Sequence, residues 1–233
     1  MVDRAALLAA LTATAAQGAG GTLVGRLCEA ARVVADADGA SIALTPGRRD
    51  YASRSVLWAT DAVAARIEQI HDVVGRGPAS DVARTDEGVS LTLADTATPW
   101  PEFAEMTTRH TPAVLLAAVP LHAGSGVLGV LTLYRSRPGP LEGDLADLGF
   151  VADVIAVAVL DGTAPGTTPP SASWDERSAI HQAAGMVMAQ LAVSADDALA
   201  LLRAHAFALD LTLPEVAHQV LDRLLLFRPE EGP

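Results

Sequence analysis

The side chains able to do chemistry are few in this sequence, and they are poorly grouped for catalysis. His71, His110 and His122 are scattered with no metal-ligand spacing between them, so neither a metal nor a haem site is expected. The only cysteine, Cys28, falls on the apolar side of a helical pattern and reads as inert core; a lone thiol excludes an internal disulfide and points to a reducing compartment. No Ser-His-Asp grouping, no paired carboxylates in a recognisable context and no Gly-x-Ser-x-Gly elbow is present, which makes an enzyme the least favoured class. The stretch Gly124 to Gly129, GSGVLG, has the glycines of a phosphate loop but lacks its lysine and lies between two strand patterns, so it reads as a turn. Trp58, Trp100, Phe103 and Tyr134 either line a small ligand pocket or simply fill a core, and in a small domain the core is the commoner fate of such rings. What the residues favour is binding.

The elements that must position these groups fall into two blocks. The chain has 233 residues, half of them hydrophobic, enough for two modules with buried cores. Between them, 162–173 reads GTAPGTTPPSAS, an uncharged Gly, Pro, Ser and Thr stretch that cannot bury a core and is expected to be a linker. Residues 1–19 are expected to form an Ala-rich helical extension, because Asp3 and Arg4 cancel and leave no positive lead-in for a signal peptide. Over 20–161 the patterns alternate. A helix over Thr22 to Val34 precedes strands at Ala40 to Thr45 and Ser55 to Trp58, joined through Pro46 to Asp50. A helix at Asp61 to His71, a strand at Val89 to Leu93 and a helix at Trp100 to Thr108 follow. Two strong strands, Ala113 to His122 and Val127 to Tyr134, suit a hairpin, and Leu141 to Leu160 closes the block as a helix. This is an α+β order: an antiparallel sheet with helices segregated to its faces. The apolar run Leu145 to Leu160 is interrupted by Asp147 and Asp153, so no membrane segment is expected and the protein is placed in the cytoplasm.

Residues 174–228 read as helix throughout, a small all-α three-helix bundle. The first helix carries an apolar stripe of Ile180, Ala183, Val187 and Leu191, with Arg177, His181, Ala184 and Met188 beside it. Ser194 stands three residues before Asp197, and Thr212 three before Glu215, so each reads as a cap opening a further helix. The second helix is expected to bury Ala198, Leu202, Ala206 and Leu209, and the third Leu213, Val216, Ala217, Val220, Leu221 and Leu224. A bundle of this size is marginal alone and gains from dimerisation. The net charge of −12 is shared by both blocks: residues 1–161 hold 12 Arg against 19 acids, and 174–233 hold 4 Arg against 9. Coating of a nucleic-acid duplex by a generally basic surface is thereby excluded.

The sequence RSAIHQAAGMVMAQL at Arg177 to Leu191, followed by SADDALALLRAHAFA and TLPEVAHQVL, resembles the ANTAR domain, the RNA-binding module of transcription antitermination regulators. The preceding block resembles a GAF domain through GRGPASDV at Gly75 to Val82, TPWPEF at Thr98 to Phe103, AVPL at Ala118 to Leu121 and GVLTLYRSRPGPL at Gly129 to Leu141. The order is that of actinobacterial GAF-ANTAR regulators. The resemblance implies a cytoplasmic, homodimeric regulator with no cofactor, in which a GAF sensor, met by a small molecule or a signalling protein, controls a module that binds hairpins in nascent RNA. In that module Ala184, Gly185 and Ala206 would supply close approach, and Arg177, His181, Gln182, Arg203 and His205 the donors. Ala184 stands where many ANTAR domains carry lysine, which removes a phosphate contact, and Ala79 where related GAF sequences often show cysteine. The competing expectation is a ligand-sensing dimerisation or protein-interaction module without RNA binding.

Overall fold

The computed structural model describes residues 4–17, 21–45, 54–124, 126–162 and 171–228. Contacts divide the chain into two compact units, and past the α+β block the division falls between residues 169 and 170.

The first unit is built on a five-stranded, wholly antiparallel sheet: β1 (Gly39–Leu44), β2 (Ser55–Ala59), β3 (Val89–Thr92), β4 (Leu115–Ala123) and β5 (Gly126–Arg135), in the order β2-β1-β5-β4-β3. Period-2 alternation splits the side chains between two faces. Ala40, Ile42, Ala117, Val119, Leu121, Leu131 and Leu133 face a continuous apolar core with α1 (Arg4–Gln17), α2 (Leu23–Val34) and α6 (Leu145–Gly162). Ser41, Ala118 and Thr132 point the other way, towards α3 (Ala62–Val74), α4 (Pro78–Thr85) and α5 (Pro101–His110). This is the expected α+β arrangement. The N-terminal helix is not an extension: α1 sinks Leu11 and Ala15 into the core shared by α2 and α6. The β1 to β2 connection through Pro46 to Asp50 lies outside the described residues, as does Ser125 of the hairpin.

The second unit, which by contacts also takes in Asp72–Gly75, is built on α7 (Ser171–Leu191), α8 (Ala195–Leu209) and α9 (Leu213–Leu221). Both caps form. Ser194 Oγ accepts from the Asp197 backbone N–H at 3.2 Å, and Thr212 with Glu215 makes a full capping box in which the Glu215 carboxylate accepts from the Thr212 N–H at 2.7 Å. Ala183, Val187, Ala198, Leu202, Ala206, Leu213, Val216, Ala217 and Val220 fill the interior. Three expectations are corrected. The uncharged stretch is shorter than its composition suggests, since α6 reaches Gly162 and α7 starts at Ser171. Leu209 is exposed, because α8 ends there and Asp210 turns into the left-handed region at φ 60°. Leu224 is 80% exposed, because α9 stops at Leu221 and Arg223 at φ 58° leads the chain off the helical path.

Candidate nucleic-acid interface

Helix α7 has two faces. Ala179, Ala183, Ala184 and Val187 are buried, and the opposite side exposes Ser178, His181, Gln182, Gly185, Met188 and Ala189. The 3.6-residue repeat makes this outer face continuous, because Ser178, Gln182, Gly185 and Ala189 succeed one another at steps of four and three, with His181 beside them. Arg177, Ser178, His181 and Gln182 together line an open depression of about 480 Å³. Gln182 is steadied by donating from Nε2 to Ser178 Oγ at 2.9 Å. Gly185 lies fully outward, and a Cβ placed there would meet nothing within 4 Å. No acid occurs between Arg177 and Val193, so within that stretch the face carries no carboxylate.

The structure thus unites Arg177, His181, Gln182 and Gly185, and separates the rest of the expected set. Ala184 and Ala206 are corrected from interface to interior: both are buried and help close the bundle. Arg203 and His205 stand two positions apart on α8, on opposite flanks of the buried Ala198, Leu202 and Ala206 stripe, and positions two apart on a helix do not share a face. His205 is turned onto Phe227, edge to face at 5.7 Å. Arg203 is half-buried.

The four aromatic residues do not share one pocket. Trp58 lies on the apolar-core face, over Gly25 of α2, where any larger residue would collide with its ring. Tyr134 is on the other face, its hydroxyl donating to Asp61 at 3.1 Å. Phe103 is fully buried against His71 at 4.2 Å, and Trp100 donates from Nε1 to Asp81 at 2.9 Å. Cys28 is buried and burial pushes its thiol pKa far up, which makes it inert.

What sequence reading missed is a buried polar cluster on the α3 side of the sheet. Arg54 pairs with Glu68, and Ser41 Oγ donates to the same carboxylate at 2.6 Å. Burial pushes the Glu68 carboxyl upward, but the Arg54 guanidinium and the hydrogen bonds outweigh it and hold the group below its ordinary range. His71, one turn on, is driven down to about 4 by burial and stays neutral, with Nδ1 against the Ile67 carbonyl at 3.2 Å. The available signal was spacing: Ala64, Glu68 and His71 succeed one another at four and three residues, placing a charge and an imidazole on the helix's inward stripe.

Comparison with known proteins agrees with this geometry. The GAF domain family matches over residues 21–159 and the ANTAR domain over residues 171–221. No curated protein matches at a significant level. Among solved structures, the GAF domain of a phosphoenolpyruvate-protein phosphotransferase from Coxiella burnetii is similar at a TM-score of 0.51 and 12% identity, covering 72% of this chain and 100% of that one. The corresponding domain from Acinetobacter gives a TM-score of 0.49 at 13% identity, with the same coverage. At such identity the Coxiella burnetii likeness speaks for the fold of the first unit alone. With an antiparallel five-stranded sheet under one match and three helices, the last two capped, under the other, the chain belongs to the GAF domain family and carries a C-terminal ANTAR domain, the build of a signal-responsive GAF-ANTAR regulator.

Proposed function

We propose that the ANTAR bundle binds folded RNA through the outer face of α7 and thereby acts in transcription antitermination, under control of the GAF domain. The observation that carries this reading is the α7 face itself: from Arg177 onward a helix surface without acids, with four donor-bearing side chains, Arg177, Ser178, His181 and Gln182, around one depression, next to a glycine with open space above it. A mid-helix glycine costs about 1 kcal/mol relative to alanine. No packing within the bundle calls for it, because a Cβ there meets nothing within 4 Å. Close approach by an outside surface accounts for its presence, and an RNA backbone read by shape and phosphate contacts is such a surface. Arg177 supplies the planar guanidinium suited to a phosphate, and His181 and Gln182 the neighbouring hydrogen-bonding groups. Arg203 forms a separate contact on α8.

The protein acts by binding, as a cytoplasmic homodimer, and needs no cofactor. Exposed Phe207, Leu209, Leu224 and Leu226 supply apolar surface for pairing of two bundles. The GAF domain takes the signal, from a small molecule or a signalling protein.

The test is binding of the purified full-length chain to a two-hairpin RNA at two salt concentrations, comparing wild type with Arg177→Ala, with Arg203→Ala and with the double variant His181→Ala, Gln182→Ala. Wild-type binding should weaken with salt by a slope of only a few phosphates, each adding roughly 0.7 to 0.9 to the log-log slope. The α7 variants should bind at least about tenfold more weakly, the loss of roughly 1.4 kcal/mol, and Arg203→Ala should lose less. Negligible binding by every protein overturns the RNA reading in favour of an interaction module. Binding that all variants retain moves the interface off α7.

A further inference from the structure

His122 sits at the end of β4, where the ladder to β5 slips between Leu121 and His122. Such an irregularity re-aims a side chain. Here it brings the imidazole between helices that cover opposite faces of the sheet. Its Nδ1 lies 2.7 Å from the Asp153 carboxylate on α6, and its Nε2 lies 2.7 Å from the carboxylate of Asp86, the left-handed residue that ends α4. Asp153 also accepts the His122 backbone N–H at 3.3 Å. Ionised carboxylates only accept, so both ring nitrogens must carry hydrogen, and only the imidazolium has both.

We propose that His122 is a proton-operated clamp that ties the end of α4 to α6 across the edge of the sensor sheet. The clamp is closed when the ring is charged. On deprotonation the ring keeps one N–H; Asp153 stays near through the backbone N–H of His122, and the Asp86 arm faces a lone pair and lets go. The charged groups acting on the ring are Asp153 and Asp86, from the two helices it joins; their hydrogen bonds and charges outweigh its desolvation and raise its pKa. A raised folded-state pKa means that the closed state is fully favoured below the unfolded-state value, about 6.5, and is lost as pH rises through the folded-state value. This makes the sensor domain responsive to pH through a pair of helices, and it stands independently of the RNA reading.

The experiment follows the His122 ring resonances of the full chain through a pH titration, assigned with His122→Gln, together with hydrogen exchange at the end of α4, corrected for intrinsic rates. The His122 midpoint should lie above that of the same residue in the urea-unfolded chain, and should fall in both Asp86→Asn and Asp153→Asn. Protection at the end of α4 should drop as pH passes that midpoint in wild type, and should be pH-independent in His122→Gln. A midpoint at or below the unfolded value, a midpoint indifferent to both substitutions, or the same exchange profile in His122→Gln overturns the clamp. Should His122→Gln fail to fold, the wild-type midpoint compared with the two Asn variants decides the matter alone.

Discussion

The two units place their polar chemistry on opposite sides of the protein boundary. The sensor unit buries Arg54, Glu68, His71, Ser41, Thr132 and Asp147, whereas among the described residues of the bundle the buried polar side chain is Thr212, a helix cap. The bundle's donors are instead on an outer helix face over a plain apolar interior. Buried charge ties stability to the integrity of partners and to pH, while surface donors can be removed with little effect on folding. The units should therefore fail in different ways: sensor substitutions as loss of fold, bundle-face substitutions as loss of binding.

The strongest test of that contrast is Glu68→Gln. The substitution keeps the volume of the side chain and the hydrogen bond from Arg54 to the residue 68 carbonyl, but leaves the guanidinium buried without its carboxylate. Breaking one side of a buried pair costs about 3–5 kcal/mol, so the urea midpoint of the sensor unit should fall sharply. The matching change in the bundle, His181→Ala, should leave the bundle's unfolding within about 0.5 kcal/mol of wild type. Equal losses in the two units would erase the distinction drawn between them.

A second test uses the sign of the pH dependence. His71 and His122 lie in one unit yet are shifted in opposite directions, because burial outweighs the attraction of Glu68 at His71, whereas at His122 the carboxylates of Asp153 and Asp86, one at each nitrogen, outweigh burial. The folded state holds His71 neutral down to about 4. The unfolded chain takes up that proton near 6.5, so His71 contributes stability at neutral pH that is lost progressively as pH falls from about 6.5 towards 4. Urea midpoints measured over this window should fall in wild type and fall less steeply in His71→Gln. An unchanged slope in the variant would assign the acid sensitivity elsewhere, to Glu68 first, whose depressed pKa gives stability lost in the same direction at lower pH.

How far the sequence carried depends on whether the deciding interaction is local. Helix periodicity, the two caps at Ser194 and Thr212 and the hairpin strands are local signals, and they form as read. The domain order was legible because motif order survives where single motifs are weak. What sequence could not separate were residues one step apart on a helix: a rotation of 100° buries Ala184 and exposes Gly185, and buries Ala206 while leaving His205 half-buried. The Arg54 to Glu68 pair and the Asp86, His122, Asp153 bridge join residues far apart in sequence, and no spacing rule reaches across that distance. Strand parity likewise puts Trp58 and Tyr134 on opposite faces of the sheet, and that parity is readable only once the register is known.

The smallest expected effect is the most discriminating for the bundle. Gly185→Ala should stabilise it, by up to about 1 kcal/mol, since alanine has the higher helix propensity and its methyl group meets open space. If the outer face of α7 receives a closely approaching RNA backbone, the same methyl group intrudes on the contact, and affinity for a two-hairpin RNA should fall while the thermal midpoint of the bundle rises. Stability and binding would then move in opposite directions on one methyl group. A variant that is destabilised would mean that the glycine serves packing, as it would where two helices cross in a paired bundle. A variant more stable and equally good at binding would place the ligand elsewhere on the bundle, on the Arg203 flank of α8.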